Sequence, residues 1–82
     1  MIQINVYCAA LEKSYDFKAD ETVELSKVAY DMAEMVSYRE HLPLISGEGD
    51  FVLCDTSRQK ILDPADTLAS SGIRSGDRLL LL

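Results

Sequence analysis

The sequence predicts a single α+β domain, with a mixed sheet of four to five strands and one long helix across one face. Three observations predict it: an alternating segment near the N-terminus, an apolar stripe at helical spacing after residue 22, and short apolar segments separated by turn signals towards the C-terminus. The 82 residues suffice for one domain (1–82) and one core. The predicted order of elements is β-β-α-β-β-β.

The first two strands are predicted to form a hairpin. Residues 2–8 alternate between apolar and polar, as a half-buried strand does, and one face carries Ile2, Ile4, Val6 and Cys8. Residues 14–18 alternate again, with Tyr15 and Phe17 on one face. The connection between the two segments, residues 9–13, is short enough for a hairpin.

A helix is predicted from an N-cap at Thr22 to about Tyr38. Its apolar residues recur at i, i+3, i+4 and i+7, and this stripe consists of Leu25, Val28, Ala29, Met32, Met35 and Val36. Acidic residues near its start suit the positive end of the helix dipole, and Pro43 prevents the helix from continuing.

The C-terminal half is predicted to contain a loop (42–50), a short strand (51–54), a very short strand (61–62) and a last strand (78–82). A type I turn is predicted at residues 63–66, from its Asp-Pro start. The predicted inward residues are Ile2, Ile4, Val6, Tyr15 or Phe17, Val23, Val28, Met32, Leu62, Leu68, Ile73, Leu79 and Leu81.

Several segments resemble the ubiquitin superfamily: Thr22-Val23-Glu24, Leu42-Pro43, the run 60–68, and Gly72-Ile73-Arg-Ser-Gly76-Asp77-Arg-Leu-Leu-Leu-Leu82. Within it, the chain resembles the small bacterial YukD-like (EsaB-like) proteins, ubiquitin-like components of type VII (WXG-type) secretion systems. The resemblance implies a β-grasp fold with the last strand between the first and third. It also implies a non-enzymatic, protein-binding adaptor whose partners are cytosolic domains of membrane proteins of the secretion machinery.

Charge and hydropathy exclude several other classes of partner. The net charge of −6 disfavours binding to nucleic acid and to anionic membranes. No apolar run approaches the roughly 20 residues that span a bilayer, and the N-terminus lacks the pattern of a signal peptide. A cytoplasmic location without direct membrane insertion is therefore expected.

No catalytic, cofactor-binding or metal-binding residues are predicted. His41, the single histidine, lies at a helix end, where a positive charge is favoured, and Cys8, His41 and Cys54 lack zinc-site spacing. In a β-grasp sheet the two cysteines lie two strands apart, about 9.6 Å. This exceeds the roughly 7 Å limit between bridged Cα atoms, so both are expected to be free thiols.

Two other functions compete with the adaptor. The first is a ubiquitin-like modifier or sulfur carrier, which the missing Gly-Gly tail after Leu82 argues against. The second is a generic interaction domain of another pathway, such as a Ras-binding-type or PB1-type module. The oligomeric state remains open.

A binding surface is predicted on the open face of the sheet. Alignment of Ile73 with the buried isoleucine of ubiquitin-like proteins turns Leu80 and Leu82 outward. The same register turns Leu53 outward beside Leu80, with Val52 and Cys54 inward, although a shift by one residue would exchange the faces. Contiguous exposed apolar residues mark contacts. The predicted site comprises Leu53, Leu80 and Leu82, with Phe51 and Tyr7 as flanks.

Overall fold

The computed structural model describes residues 1–44, 47 and 49–82. In chain order its elements are strands β1 and β2, helix α1 and strands β3 to β5, with bounds Ile2–Cys8, Lys13–Ala19, Leu25–Glu40, Leu53–Asp55, Lys60–Ile61 and Arg78–Leu81. The predicted order β-β-α-β-β-β is confirmed. The predicted loop at 42–50 includes residues 45, 46 and 48, which lie outside the described residues.

The five strands form one mixed sheet in the order β2-β1-β5-β3-β4. Strand β5 lies parallel to β1, whereas the pairs β1–β2, β3–β5 and β3–β4 are antiparallel. The last strand therefore lies between the first and the third, as the resemblance implied. With the helix packed on one face, this is the predicted α+β arrangement, and it is consistent with a ubiquitin-like β-grasp.

The helix begins later than the sequence predicted. Its first residue is Leu25, and the cap position is taken by Glu24, which makes no side-chain capping hydrogen bond. Thr22, the predicted cap, instead donates from its backbone N–H and its hydroxyl to the Asp20 carboxylate, at 2.9 and 2.7 Å. The prediction of Thr22 as the cap is therefore wrong, because its hydroxyl is engaged with a neighbouring side chain.

A distant turn takes over the capping of the helix. The N–H groups of Leu25 and Ser26 donate to the carbonyl oxygens of Asp66 and Pro64, at 2.8 and 3.1 Å. The predicted turn at residues 63–66 is present, closed by a 3.0 Å bond from the Asp66 N–H to the Asp63 carbonyl. Backbone carbonyls from another part of the chain thus satisfy N–H groups that a local side chain usually caps.

The helix ends at Glu40, two residues beyond the predicted Tyr38. His41 follows with φ 55° and ψ 39°, the left-handed conformation typical of a helix C-terminus, and its N–H donates to the Ser37 carbonyl. Pro43 then lies outside the helix, as its sequence position predicted.

The core lies between α1 and the inner face of the sheet. Ten of the predicted inward residues are buried, namely Ile4, Val6, Tyr15, Val28, Met32, Leu62, Leu68, Ile73, Leu79 and Leu81. The other three, Ile2, Phe17 and Val23, are partly buried against the same core. Helix periodicity and strand alternation therefore identified the packed faces of β1, β5 and the helix correctly.

The side chains of β3 point to the opposite faces of the sheet from those predicted. Leu53 pairs with the buried Leu81 and is itself only 3% exposed, whereas Cys54 pairs with Leu80 on the other face. Directly opposed residues on neighbouring strands share a face. The expected outward placement of Leu53 is therefore wrong, as is the inward placement of Val52 and Cys54.

A carboxylate is buried at the end of β3. Asp55 is 3% exposed, and its Oδ1 accepts hydrogen bonds from the Ser57 hydroxyl at 2.9 Å and from the Ser57 N–H at 3.1 Å. The Arg58 guanidinium lies 3.6 Å away. Burial acts to raise the pKa of Asp55, but the bonds from Ser57 and the Arg58 charge outweigh it, so the pKa lies below its usual value.

Candidate protein-binding surface on the open face

The outer face of the sheet carries a row of apolar side chains across four strands. Tyr7 of β1 pairs with Leu80 of β5, Leu80 pairs with Cys54 of β3, and Cys54 pairs with Ile61 of β4. Because paired residues share a face, all four side chains point away from the helix. Strand β2 continues the row with a polar residue, Ser14, opposite Tyr7.

A second apolar pair lies beside this row. Val52 and Leu82 exchange two backbone hydrogen bonds, of 3.1 and 2.9 Å, which extend the ladder one step beyond β3 and β5. We call the combined surface the open-face patch, and it comprises Tyr7, Val52, Cys54, Ile61, Leu80 and Leu82. Exposed fractions reach 67% at Ile61, 54% at Leu82 and 39% at Tyr7.

Three of the five predicted site residues lie in this patch, namely Tyr7, Leu80 and Leu82. Leu53 does not, because it is buried in the core on the opposite face. Phe51 does not either, because it packs partly buried against the core, with its ring centroid 6.4 Å from that of Tyr30 on the helix. The prediction of Leu53 as a surface contact is therefore wrong, whereas Phe51 is half-buried outside this patch and its role as a flank stays a prediction.

The sequence interpretation missed Val52, Cys54 and Ile61. Val52 and Cys54 were assigned to the wrong face by the register error in β3. A signal for Ile61 was present, because Leu62 was predicted inward and strand alternation then turns its neighbour outward. Ile61 could therefore have been predicted as a patch residue, because it is an apolar residue at a position expected to point outward.

Charge is unevenly distributed between the open face and the rest of the protein. Along the five strands, the outward positions include three charged residues, Asp16, Lys18 and Arg78, whose sum is −1 + 1 + 1 = +1. The whole chain has a net charge of −6. The open face is therefore a slightly basic surface on an acidic protein, and Arg78 lies two positions from Leu80 on the same face.

An ion-pair cluster on the opposite side braces the helix against the sheet. Lys13 donates to one oxygen of Glu40 at 2.8 Å, and the Tyr15 hydroxyl donates to the other at 2.9 Å. The Lys13 bond, together with that from Tyr15, lowers the pKa of Glu40. All three side chains have partners within the fold, which suits a structural role.

The described part of the chain has neither a cluster of metal-ligating side chains nor a membrane-spanning helix. Residues 1–44, 47 and 49–82 contain no group of three or more His, Cys, Asp or Glu side chains placed to hold a metal ion. Within the same ranges, no helix has both the length and the apolar character needed to cross a bilayer. Cys8 and Cys54 are both free thiols, the first buried and the second half-buried.

Comparison with known proteins places the chain in a family. No curated protein matches it. The family described as "WXG100 protein secretion system (Wss), protein YukD" matches residues 2–81, essentially the whole chain. All five strands and the helix described above lie within the matched range. The protein belongs to the YukD family, the ubiquitin-like accessory proteins of WXG100 secretion systems.

Proposed function

We propose that this protein is a non-enzymatic cytoplasmic adaptor that binds another protein through the open-face patch. Its partner is a cytosolic domain of a membrane protein of the WXG100 secretion machinery. The family supports a role in secretion, and the patch supports a role in protein binding. The binding is proposed to be non-covalent, without conjugation of the protein to its targets.

The observation that carries the proposal is the exposure of aliphatic residues on a sheet face that the fold leaves uncovered. Ile61 is 67% exposed and Leu82 is 54% exposed, and both adjoin the row through Leu80 and Cys54. The helix covers only the inner face. A contiguous apolar patch on a small protein generally marks an interaction surface, because leaving it in water is unfavourable.

The charge around the patch indicates the chemistry of the partner. Arg78 is exposed on the same face as Leu80, and the outward Asp16 and Lys18 of the edge strand offset each other, so one positive charge remains on this face. A partner with an apolar centre and acidic residues at its rim would complement this face. Rim charges of this kind mainly increase the association rate and set the orientation, while the apolar centre supplies affinity.

The absence of conjugation is a separate part of the proposal and has its own test. Leu82 exchanges two backbone hydrogen bonds with Val52 in the sheet ladder. Incubation with ATP and cell lysate, followed by mass spectrometry, is expected to show no adduct through Leu82, and a covalent adduct there would contradict this part of the proposal.

The binding test uses a double variant, Ile61→Asp with Leu80→Asp, and a control, Tyr38→Asp, at an 85% exposed position on the helix, which lies on the other side of the sheet. The double variant is expected to keep its helical circular dichroism signal but to lose capture by purified cytosolic domains of the secretion system's membrane proteins. The control is expected to retain capture. If the double variant folds and is captured as well as the wild type, the patch is not the binding surface.

A further inference from the structure

An apolar pocket opens at the end of the sheet where the helix also ends. It has a volume of about 230 Å³. The β1–β2 connection, the C-terminal half of the helix, the segment after it and the end of β5 contribute its lining, which is Cys8, Ala10, Leu11, Ala33, Val36, Ser37, Leu42, Pro43, Leu44, Phe51, Leu81 and Leu82. All but one of these side chains are apolar, and the exception is Ser37.

Four hydrogen-bond donors around the pocket already have partners within the fold. The Ser37 hydroxyl donates to the Leu42 carbonyl, and the Leu42 N–H donates to the Ser37 carbonyl at 3.0 Å. The N–H of Leu11 donates to the Cys8 carbonyl at 3.3 Å, and that of Ala9 donates to the Leu81 carbonyl at 3.2 Å. An occupant would therefore be held by apolar contacts, and a charged group would lose its hydration without gaining a partner.

The pocket is continuous with the open-face patch. Leu82 belongs to the patch and also lines the pocket. Its neighbour Leu81 points to the inner face and lines the pocket from that side. A protein segment that covers the open-face patch and passes the end of β5 would therefore reach the pocket at Leu82, which the patch and the pocket share.

We propose that this pocket receives one large uncharged side chain, aromatic or branched aliphatic, from the partner that covers the open-face patch. The inference rests on the proposed function and adds a requirement for an apolar anchor residue in the partner. The volume suits a single side chain, because an apolar protein cavity of about 150 Å³ binds benzene. Anchors of this kind contribute a large share of the affinity of protein complexes.

The first experiment tests the chemistry of the pocket without any partner. Benzene, as an analogue of an aromatic side chain, is added to isotopically labelled protein, and methyl shifts are followed by NMR. Shifts are expected at Leu11, Val36, Leu44 and Leu81. Benzoate, the charged control, is expected to leave these methyl groups unchanged. Absence of shifts with benzene at saturation, or equal shifts with benzoate, would overturn the inference.

The second experiment fills the pocket from two sides. Ala33→Leu enlarges a helix residue in its wall, and Ala10→Leu enlarges an exposed residue that also lines it. Ala69→Leu is the matched control, because Ala69 is exposed and lies outside the pocket. Both filling variants are expected to weaken benzene binding by roughly tenfold, while the control is unchanged. If Ala33→Leu fails to fold, Ala10→Leu alone decides the result.

Capture of the cytosolic domains by pocket and patch variants distinguishes a failure of this inference from a failure of the proposed function. Ala10→Leu is expected to weaken capture of the cytosolic domains, and Ala69→Leu is expected to leave it unchanged. Unchanged capture by Ala10→Leu, together with lost capture by Leu80→Asp, would overturn the anchor pocket and leave the proposed function intact. If the wild-type protein binds benzene but captures none of the cytosolic domains, the proposed function is contradicted. The pocket would then bind apolar molecules without being a site for this partner.

Discussion

The two faces of β5 carry the same residue type in different environments. Four consecutive leucines end the chain, and Leu79 and Leu81 are 0% and 3% exposed beneath the helix. Leu80 is half-buried and Leu82 is 54% exposed on the open face. Strand alternation alone separates them, because successive side chains point to opposite sides of a sheet.

The comparison shows that residue type does not decide what these leucines do. The inward pair packs against helix residues such as Met32 and stabilises the fold by removing apolar area from water. The outward pair leaves its apolar area available to a second protein. Changes on the two faces should therefore separate folding from binding, and three comparisons test this separation.

The largest difference is expected between Leu79→Ala and Leu80→Ala. Leu79→Ala should lower the free energy of unfolding by about 2–5 kcal/mol, because it removes a fully buried side chain and leaves a cavity. Leu80→Ala should cost about 1 kcal/mol or less, because its side chain is partly in water. Urea denaturation of both variants, beside the wild type, measures the two values.

Equal losses from these two variants would contradict the assignment of the faces. A larger loss from Leu80→Ala would indicate that the open face is covered, for example in an oligomer. Sedimentation of the wild-type protein across a range of concentrations would identify that case, because self-association shifts the sedimentation coefficient with concentration.

A smaller difference is expected between two strand aspartates, the inward Asp55 and the outward Asp16. Asp55→Ala should lower the free energy of unfolding by about 1–3 kcal/mol, because it removes the acceptor for two hydrogen bonds from Ser57. Asp16→Ala should change it by about 0.5 kcal/mol or less, because Asp16 is exposed. Thermal or urea unfolding at neutral pH measures both.

The effect of Asp55 should depend on pH in one direction. Its pKa is lower in the folded protein than the ordinary value near 4, so it stabilises the fold above that value. This contribution is lost as the pH falls through the folded pKa. The stability difference between wild type and Asp55→Ala should therefore shrink below about pH 4, and a difference that grows on acidification would contradict the assignment.

The smallest effect on stability is expected from replacement of either cysteine. The reaction rates of the two thiols show which face of the sheet each one occupies. Cys54 is half-buried on the open face, whereas Cys8 is 8% exposed on the inner face. In native protein, Cys54 should react with a soluble thiol reagent roughly tenfold faster or more. Single-thiol variants, Cys8→Ala and Cys54→Ala, assign the two rates by mass spectrometry, and a faster reaction at Cys8 would contradict the register of β3.

Protection of Cys54 also tests the open-face patch directly. A partner that covers the patch should slow the modification of Cys54, since its side chain lies between Leu80 and Ile61. The measurement uses the Cys8→Ala variant, so that Cys54 is the single thiol that reports on the patch. Bound protein in which Cys54 keeps its free rate would indicate a binding surface elsewhere.

Long elements with a clear period were predictable from the sequence. The seven residues of β1 alternate without interruption, so their inward residues Ile4 and Val6 followed from the pattern. The stripe of helix α1 was equally clear over 16 residues. The resemblance added the sheet order, and with it the inward direction of Leu79 and Leu81.

The start of the helix depended on a contact that no local sequence pattern contains. Thr22 is a good capping residue by type, but the N–H groups at the helix start bond to the turn at residues 63–66. Residues some forty positions apart in the chain meet there in the packed fold. A cap supplied by distant backbone carbonyls leaves no signal in the residues that precede the helix.

The sequence by itself determined the elements, their order and the alternation of the four leucines at residues 79–82. Only the tertiary structure decided which face β3 presents, because residues 51–54 are all apolar and carry no alternation to read. Pairing of Leu53 with Leu81 decided that register, which buried Leu53 and turned Cys54 outward. The candidate site therefore kept its location on the open face but changed its members, since one residue of register exchanges every side chain between core and surface.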